Sequence, residues 1–370
     1  MHRSIVSMIC AGAIVAGPAA ASPIRAVPTG SERVLLMWSP SDVRCSGDGI
    51  GHAEYMPRPL NMLIFPGGIP AVPITFGFTI GEDGRPLSIA KQGEGNTPYA
   101  SDTGPALAAS RFAPGAQRSD CTITYMPHTA PLNLAPLPEL MSYSMNRDSE
   151  RLPLAAMRRL GGGTCLDRPV PAPLVVAYPD FGKLANTPGA RDWTMVDYDL
   201  DRAGNAVDAR IVGGTRHAAL DAASLEAVGK SRFATGDREG CRYPYWLNPG
   251  LVEAPPMPPK GALEPANAMC DARDGFSRPP QLIFPEPYRN RAIEGWAIVS
   301  YDVAPWGEIG NVKVLDAQPS EEFGKQAVRM LSRAEVESGG RGMTGCVDRV
   351  HFKMNTPRPE PEENVIVLTH

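Results

Sequence analysis

Apolar and polar residues alternate most clearly between residues 298 and 303. Val299, Tyr301 and Val303 point to one side of an extended chain, a period of two residues that is typical of a half-buried strand. The segment Pro305-Trp306-Gly307 then combines residues that favour turns. The pattern therefore predicts the first strand of a hairpin, followed by a tight turn.

A second predicted strand contains Val312 and Val314 on one face. After it, apolar residues recur at helical spacing, so that one face of a helix is apolar; they are Phe323, Ala327, Met330 and Leu331. A last alternating segment from Val347 to Met354 predicts another strand. The order strand, strand, helix, strand predicts an α+β layer with one helix on a small three-stranded antiparallel sheet.

The same order of signals occurs twice earlier in the chain, which indicates three tandem units. Alternating strands at 76–80 and 196–200 are each followed by a turn glycine, a second strand and a helix. The sequence Ser-Arg-Phe-Ala at 110–113 is repeated identically at 231–234, near the end of the predicted helix in each of these two units. We refer to the first, middle and third units in chain order.

The third unit resembles the C-terminal domain of the TonB family of energy-transducing proteins. The resemblance lies in five segments that occur in the family's order, Leu282-Ile283-Phe284-Pro285, Ile293-Glu294-Gly295, Asp302 to Gly307, Asn311-Val312 and Phe352-Lys353-Met354-Asn355. Together with the repeated order of signals, it implies three TonB-C-like domains in tandem. Because the residues offer no coherent catalytic site, we expect a protein that is not an enzyme. In this family the domain captures a receptor peptide as an added strand, a mode that depends mainly on backbone hydrogen bonds.

The resemblance also implies a position for the peptide-binding edge. Carried over residue by residue, the receiving strand is Val347, Asp348, Arg349, Val350, His351, Phe352 and Lys353. The implied partner is a protein or peptide, either a TonB-dependent receptor or another envelope protein, and the implied role is linked to transmembrane transport. A structural scaffold of the envelope is the alternative function, and a hydrolase is a third.

Six cysteines lie between residues 45 and 346, and their spacing is regular. The intervals 121 − 45, 241 − 165 and 346 − 270 are each 76 residues. One disulfide in each unit is the simplest interpretation, and it requires an oxidising compartment such as the periplasm. Free buried thiols and a zinc site are the alternatives, although no closely spaced cysteine or histidine pair favours a metal. We expect no cofactor.

The N-terminal residues have the features of an export signal. Basic residues precede an apolar run from Ile5 to Ala16, and Ala19-Ala20-Ala21 provides a cleavage site. The run is short for a membrane span, so we expect a periplasmic protein with no span after cleavage. An uncleaved segment that anchors the chain to the inner membrane is the alternative.

These features divide the chain into seven parts. The predicted parts are a signal peptide (1–21), a first unit with an N-terminal extension (22–127), a linker (128–160), a middle unit (161–248), a proline-rich linker (249–266), a third unit (267–355) and a tail (356–370). Residues 34–38 form a possible extra strand before the first unit, and the tail contains a short apolar run at 365–368.

Charge and catalytic motifs exclude several functions. The 36 basic and 40 acidic side chains leave a net charge of −4, so no basic surface indicates nucleic acid as a partner. The triplet Asp102-Thr103-Gly104 matches the aspartic protease motif, but that chemistry needs a second carboxylate in the same context, and neither other unit supplies it. The simpler interpretation places Asp102 at the N-terminus of a short helix, favoured there by capping.

Overall fold

A computed structural model describes most of the chain from Arg33 onwards. The described residues are 33–46, 49–51, 53–95, 97–146, 150–234, 236–259, 261–270, 275–337, 339–354 and 365–369. The predicted signal peptide at 1–21 lies outside them.

Helices and strands follow the predicted order in each unit, with additional strands. The first unit contains β1 (Val34–Pro40), β2 (Val43–Cys45), β3 (Gly49–Gly51), β4 (Ala53–Tyr55), β5 (Met62–Ile64), β6 (Ile74–Ile80), β7 (Pro86–Lys91), α1 (Thr103–Ala108), β8 (Arg111–Phe112) and β9 (Arg118–Pro131), and α2 (Leu137–Ser144) and α3 (Leu154–Leu160) follow it. The middle unit contains β10 (Pro173–Val175), β11 (Asp192–Leu200), β12 (Ala206–Gly214), α4 (Ala218–Lys230), β13 (Arg232–Phe233) and β14 (Arg238–Leu247). The third contains β15 (Phe276–Arg278), α5 (Glu286–Asn290), β16 (Gly295–Val303), β17 (Ile309–Gln318), α6 (Glu321–Leu331), β18 (Glu335–Val336) and β19 (Met343–Lys353), and the tail contains β20 (Val365–Thr369).

The chain has the predicted α+β class, but the prediction of three strands in every sheet is wrong for two of the units. The middle sheet has the three strands β12-β11-β14. The third sheet has four, β17-β16-β19-β20, and the sheet of the first unit has seven, in which β9 pairs with β6, β1 and β2. The physical reason is that an exposed strand edge carries unpaired backbone groups, and neighbouring segments of the chain cover it.

One turn glycine occupies the same place in every unit. Gly84, Gly204 and Gly307 have φ angles of +77°, +78° and +97°, a conformation that favours glycine. Their carbonyl groups accept hydrogen bonds of 2.9 Å from Phe112 N, Phe233 N and Val336 N, respectively, which lie in β8, β13 and β18. A Cβ at any of the three glycines would lie 1.9 to 2.3 Å from a carbonyl oxygen of that short strand. The three units thus share a packing contact as well as an order of elements.

The predicted disulfides are present in the structure. Cys45 pairs with Cys121, Cys165 with Cys241 and Cys270 with Cys346. The second cysteine of each pair is buried and lies in the last strand of its unit, β9, β14 or β19. Each bridge therefore fixes the beginning of that strand to the segment that leads into the unit.

The first and third units share one hydrophobic core. Buried residues of both units form a single cluster, and the two sheets meet where Ile89 N in β7 donates a 2.9 Å hydrogen bond to the carbonyl of Pro319. In α6 the predicted apolar stripe is confirmed, because Phe323, Ala327 and Leu331 are all fully buried. The third unit is consequently packed against the first, although the middle unit lies between them in the sequence.

Both faces of the middle sheet are covered. On the helix side, Val196 and Tyr198 pack with Leu220 and Val228 of α4. On the other side, Trp193 joins a cluster with residues of α2, α3 and β1. Residues 128–160, predicted to link two units, thus supply two helices that cover the back of the middle sheet.

The proline-rich segment 249–266 also packs against a sheet. Trp296 Nε1 in β16 donates a 2.7 Å hydrogen bond to the carbonyl of Pro255, and Val252 N donates one of 2.8 Å to Ala292 O. As a result, Ile298 is only 3% exposed, and β16 is buried on both faces rather than on one.

Candidate strand-binding edges

The predicted peptide-binding strand is β19, and its side chains alternate strictly. Asp348, Val350 and Phe352 are buried in the core, whereas Val347, Arg349, His351 and Lys353 are half-buried on the opposite face of the sheet. Phe352 packs in a cluster of rings, 5.2 Å from Phe323 and 5.8 Å from Phe284 between ring centroids. Because the side chains point to the two faces of the sheet, a strand that lies beside β19 can pair only with its backbone.

One side of β19 pairs with β16 and the other with β20. The β16 pairing is antiparallel and extends from Gly295 opposite Phe352 to Val303 opposite Met343. The β20 pairing is parallel and places Val365 to Thr369 beside Arg349 to Lys353. The apolar run of the tail, which had no assigned role, is therefore an added strand. It occupies five of the seven predicted edge residues.

His351 lies at the centre of this paired segment and is half-buried. Burial, together with the smaller effect of the positive charges of Lys353 and Arg349, lowers the pKa of His351 to about 4. The imidazole is accordingly neutral over most of the physiological pH range. Its neighbour Arg349 has a partner on the proline-rich segment, since its Nε lies 2.8 Å from Met257 Sδ.

The corresponding strand of the first unit is covered as well. β1 runs antiparallel along β9, from Val34 opposite Pro131 to Pro40 opposite Tyr125. This confirms the extra strand expected at 34–38. On the other edge, β6 pairs with β9 from Arg118 to Tyr125, so β9 has a partner strand on each side, although β1 and β6 pair with different halves of it.

The middle unit differs, because β14 has a strand on one side only among the residues that the structure describes. The beginning of β14 is bonded to residues 160–164, where Thr164 N donates a 2.9 Å hydrogen bond to Glu239 O and an Arg242 NH group donates one of 2.7 Å to Leu160 O. From Tyr243 to Leu247 no described strand lies alongside the outer edge. Pro244 within this stretch has no N–H to offer a neighbour.

A cavity of about 280 Å³ opens beside β14. Its lining includes the rings of Tyr198, Tyr243, Tyr245 and Phe233, together with Val170 of the preceding loop. Burial raises the pKa of Tyr198 to about 12, so its hydroxyl stays protonated. The cavity has the apolar character of an incompletely filled core that is open at one end.

Sequence comparison identifies the family of the third unit. The family model for the C-terminal domain of the Gram-negative bacterial TonB protein matches residues 280–354, which include α5, β16, β17, α6 and β19. Residues 280–354 are a TonB C-terminal domain.

Two curated TonB proteins also match part of this chain. The protein TonB of Escherichia coli strain K12 is 36% identical over 63 residues, which are 17% of this chain and 26% of that protein. The protein TonB of Klebsiella pneumoniae is 32% identical over 75 residues, 20% of this chain and 30% of that protein. The chain therefore matches less than a third of the length of either relative.

Asp102 lies outside this TonB C-terminal domain but is bonded to it. It is the N-cap residue of α1, as expected, yet its carboxylate makes no capping bond to the helix. Instead, both carboxylate oxygens accept hydrogen bonds from Arg291, at 2.7 and 2.6 Å, and one also accepts a bond of 2.7 Å from Leu60 N. The predicted position of Asp102 at the N-terminus of a short helix is confirmed, but its carboxylate binds the buried guanidinium of Arg291, a stronger partner, instead of capping the helix.

Arg291 connects all three units. Besides Asp102, its guanidinium donates to the carbonyls of Arg58 in the first unit, at 2.8 Å, and of Gly189 in the middle unit, at 3.1 Å. The Arg291 side chain is 7% exposed and that of Asp102 is 13% exposed. No sequence motif pointed to this pair, since its members are separated by 189 residues.

Two further features bear on function. Within the described residues, no group of three histidine, cysteine, aspartate or glutamate side chains is placed to hold a metal ion. Nor does that part of the chain contain a helix long and apolar enough to cross a membrane.

Proposed function

We propose that this protein binds an extended segment of another envelope protein as an added strand on the outer edge of β19. The receiving residues are Val347 to Lys353, and the interaction uses backbone hydrogen bonds. The observation that carries this proposal is the parallel pairing of β20 with Arg349 to Lys353, because it indicates that the edge can accept a strand. A TonB-dependent receptor is the partner that best fits the TonB C-terminal domain, and a role linked to transport across the outer membrane follows from it.

The proposal extends to all three units, which we infer are copies of one TonB-C-like domain. The same order of strand, strand, helix and strand supports this, as do the shared cysteine interval of 76 residues and the turn glycine beneath β8, β13 and β18. Three such matches at fixed positions favour a repeated domain over three unrelated small sheets.

The three disulfides support a location in the periplasm, because such bonds persist in oxidising compartments. The apolar run at Ile5 to Ala16 would direct export, with the chain either released by cleavage after Ala21 or held at the inner membrane.

Peptide titration tests the binding function. The probe is a fluorescent synthetic peptide that contains the TonB box of an outer-membrane receptor, added to the oxidised chain and to a variant that ends at Asn364. We expect saturable binding that is abolished when alternate residues of the peptide are replaced by proline, since proline removes the N–H groups that pair with β19. Equal binding of the proline peptide, or no saturable binding by either chain, would contradict strand addition.

A structural scaffold of the envelope is the second candidate function. The joint core of the first and third units and the coverage of both β9 and β19 on two sides favour it. If the protein is a scaffold, deletion of its gene should impair envelope integrity while receptor-dependent uptake stays normal. The opposite result, a defect in uptake alone, would favour the peptide-binding function.

A further inference from the structure

The tail strand β20 occupies the edge on which the proposed function depends. Its five residues, Val365 to Thr369, run parallel to β19 and lie in register with Arg349 to Lys353. An extended segment of a partner that used the same edge would need the same backbone groups. Two strands cannot pair with one edge of β19 at the same residues, so the tail and a partner compete.

β19 does not depend on β20 for its place in the fold. It is paired with β16 from Met343 to Phe352 and attached to Cys270 through Cys346. Phe352 and Val350 are fully buried in the core of the third unit. Loss of β20 would therefore expose backbone groups along one edge and leave the rest of the sheet paired.

The sequence between the two strands favours a tether that permits this exchange. Eleven residues, 354 to 364, connect them, and three of these are proline. A short linker of this kind keeps a segment near its site at an effective concentration on the order of millimolar. Val-Ile-Val-Leu-Thr is rich in β-branched residues, which favour strands, and contains no charge.

We propose that residues 365–369 are a tethered internal ligand of the β19 edge, which must leave before a partner strand can bind. This rests on the proposed function, and it defines the partner more closely. The external segment should run parallel to β19, span about five residues and be uncharged and β-branched, as β20 is. The tail thereby makes binding depend on a competition within the protein.

Hydrogen exchange in the absence of any partner tests the occupancy. The proteins are the full chain, a chain that ends at Asn364, and Val367→Pro, which keeps the length but removes one N–H from the centre of β20. Val367→Thr, which retains a β-branched side chain, is the matched control. In the chain that ends at Asn364 and in Val367→Pro, we expect those amides of residues 349–353 whose N–H groups face β20 to exchange at least about tenfold faster than in the full chain and the control.

Binding of the tail in trans tests the competition. The probe is a labelled peptide of residues 362–370, and we expect the chain ending at Asn364 to bind it about tenfold more tightly than the full chain does. Equal exchange at 349–353 in the full and shortened chains would overturn the inference, whatever the receptor peptide does. Faster exchange and tail binding without any receptor-peptide binding would uphold it and contradict the proposed function instead.

Discussion

The middle and third units have the same order of elements and the same cysteine interval, yet their last strands face different surroundings. β19 has β16 on one side and β20 on the other, whereas the outer edge of β14 from Tyr243 to Leu247 has no strand beside it among the described residues. The aromatic residue that precedes a proline near the start of each unit also differs in exposure. Phe284 of the third unit is 5% exposed, whereas Tyr178 of the middle unit is 61% exposed. Two units with the same topology can therefore differ in whether the outer edge of the last strand is accessible. Segments outside the repeated unit determine whether that edge is covered.

The largest expected effect concerns the contact that attaches the third unit to the first. Arg291→Ala removes the partner of Asp102 and leaves a buried carboxylate, so the free energy of unfolding should fall by about 3 to 5 kcal/mol. In the middle unit Arg210 also pairs with a buried carboxylate, that of Asp197, but its own side chain is 59% exposed and Arg242 pairs with the same carboxylate.

Chemical denaturation of the two variants provides the comparison. Arg210→Ala is the matched control, and it should cost less than about 1 kcal/mol because Arg242 remains. Equal losses in Arg291→Ala and Arg210→Ala would mean that the third unit is attached to the first by its apolar core alone.

The next effect tests what the middle and third units share. Gly204→Ala and Gly307→Ala each place a Cβ within 2.3 Å of a carbonyl oxygen at a positive φ angle, and each should lower the free energy of unfolding by about 2 to 4 kcal/mol. Gly310→Ala is the control, since a Cβ there meets nothing within 4 Å. Thermal unfolding measures all three, and a neutral Gly204→Ala would show that the middle unit does not share this contact.

The smallest expected effect is a pH dependence of stability that only the third unit should show. His351 of β19 occupies the position that Trp246 occupies in β14, and tryptophan does not titrate. The folded-state pKa of His351, about 4, lies below its ordinary value of 6.5, so the unfolded chain binds the proton first as the pH falls. The free energy of unfolding is therefore at its full value above pH 6.5, where the imidazole is neutral in both states. It falls between pH 6.5 and 4, because the imidazole then becomes protonated in the unfolded chain only. Allowing for partial exposure, the loss is about 1 kcal/mol.

Unfolding of His351→Gln across this pH range checks the prediction. The variant should lose less stability than the native chain between pH 6.5 and 4, and His128→Gln, at an exposed position of β9, should behave like the native chain. Identical pH profiles for all three proteins would contradict the assignment of the shift to His351.

Periodic features of the sequence predicted the repeated parts of the fold. The three cysteine pairs, the apolar stripe of α6 and the strand β1 were all visible as spacing or alternation, and the structure contains each of them. Such patterns record which face of an element is buried, and that is a local property of the chain.

Contacts between distant segments could not be predicted in this way. The run at 365–368 is apolar enough to be a strand, but no local signal states which edge it joins. The pairing of Asp102 with Arg291 and the packing of 249–266 on β16 likewise depend on how the units meet. The strand predicted from Val347 to Met354 is therefore confirmed as β19, and its pairing with β20 was visible only in three dimensions.

Hydrogen exchange of the unmodified chain tests the central comparison most directly. Amides in the segment 349–353 of β19 and in the equivalent segment 244–248, which spans the end of β14, are followed in one experiment at one pH. We expect slower exchange at 349–353, because β20 covers that edge and no described strand covers the other. Equal rates in the two segments, or slower exchange at 244–248, would contradict this account.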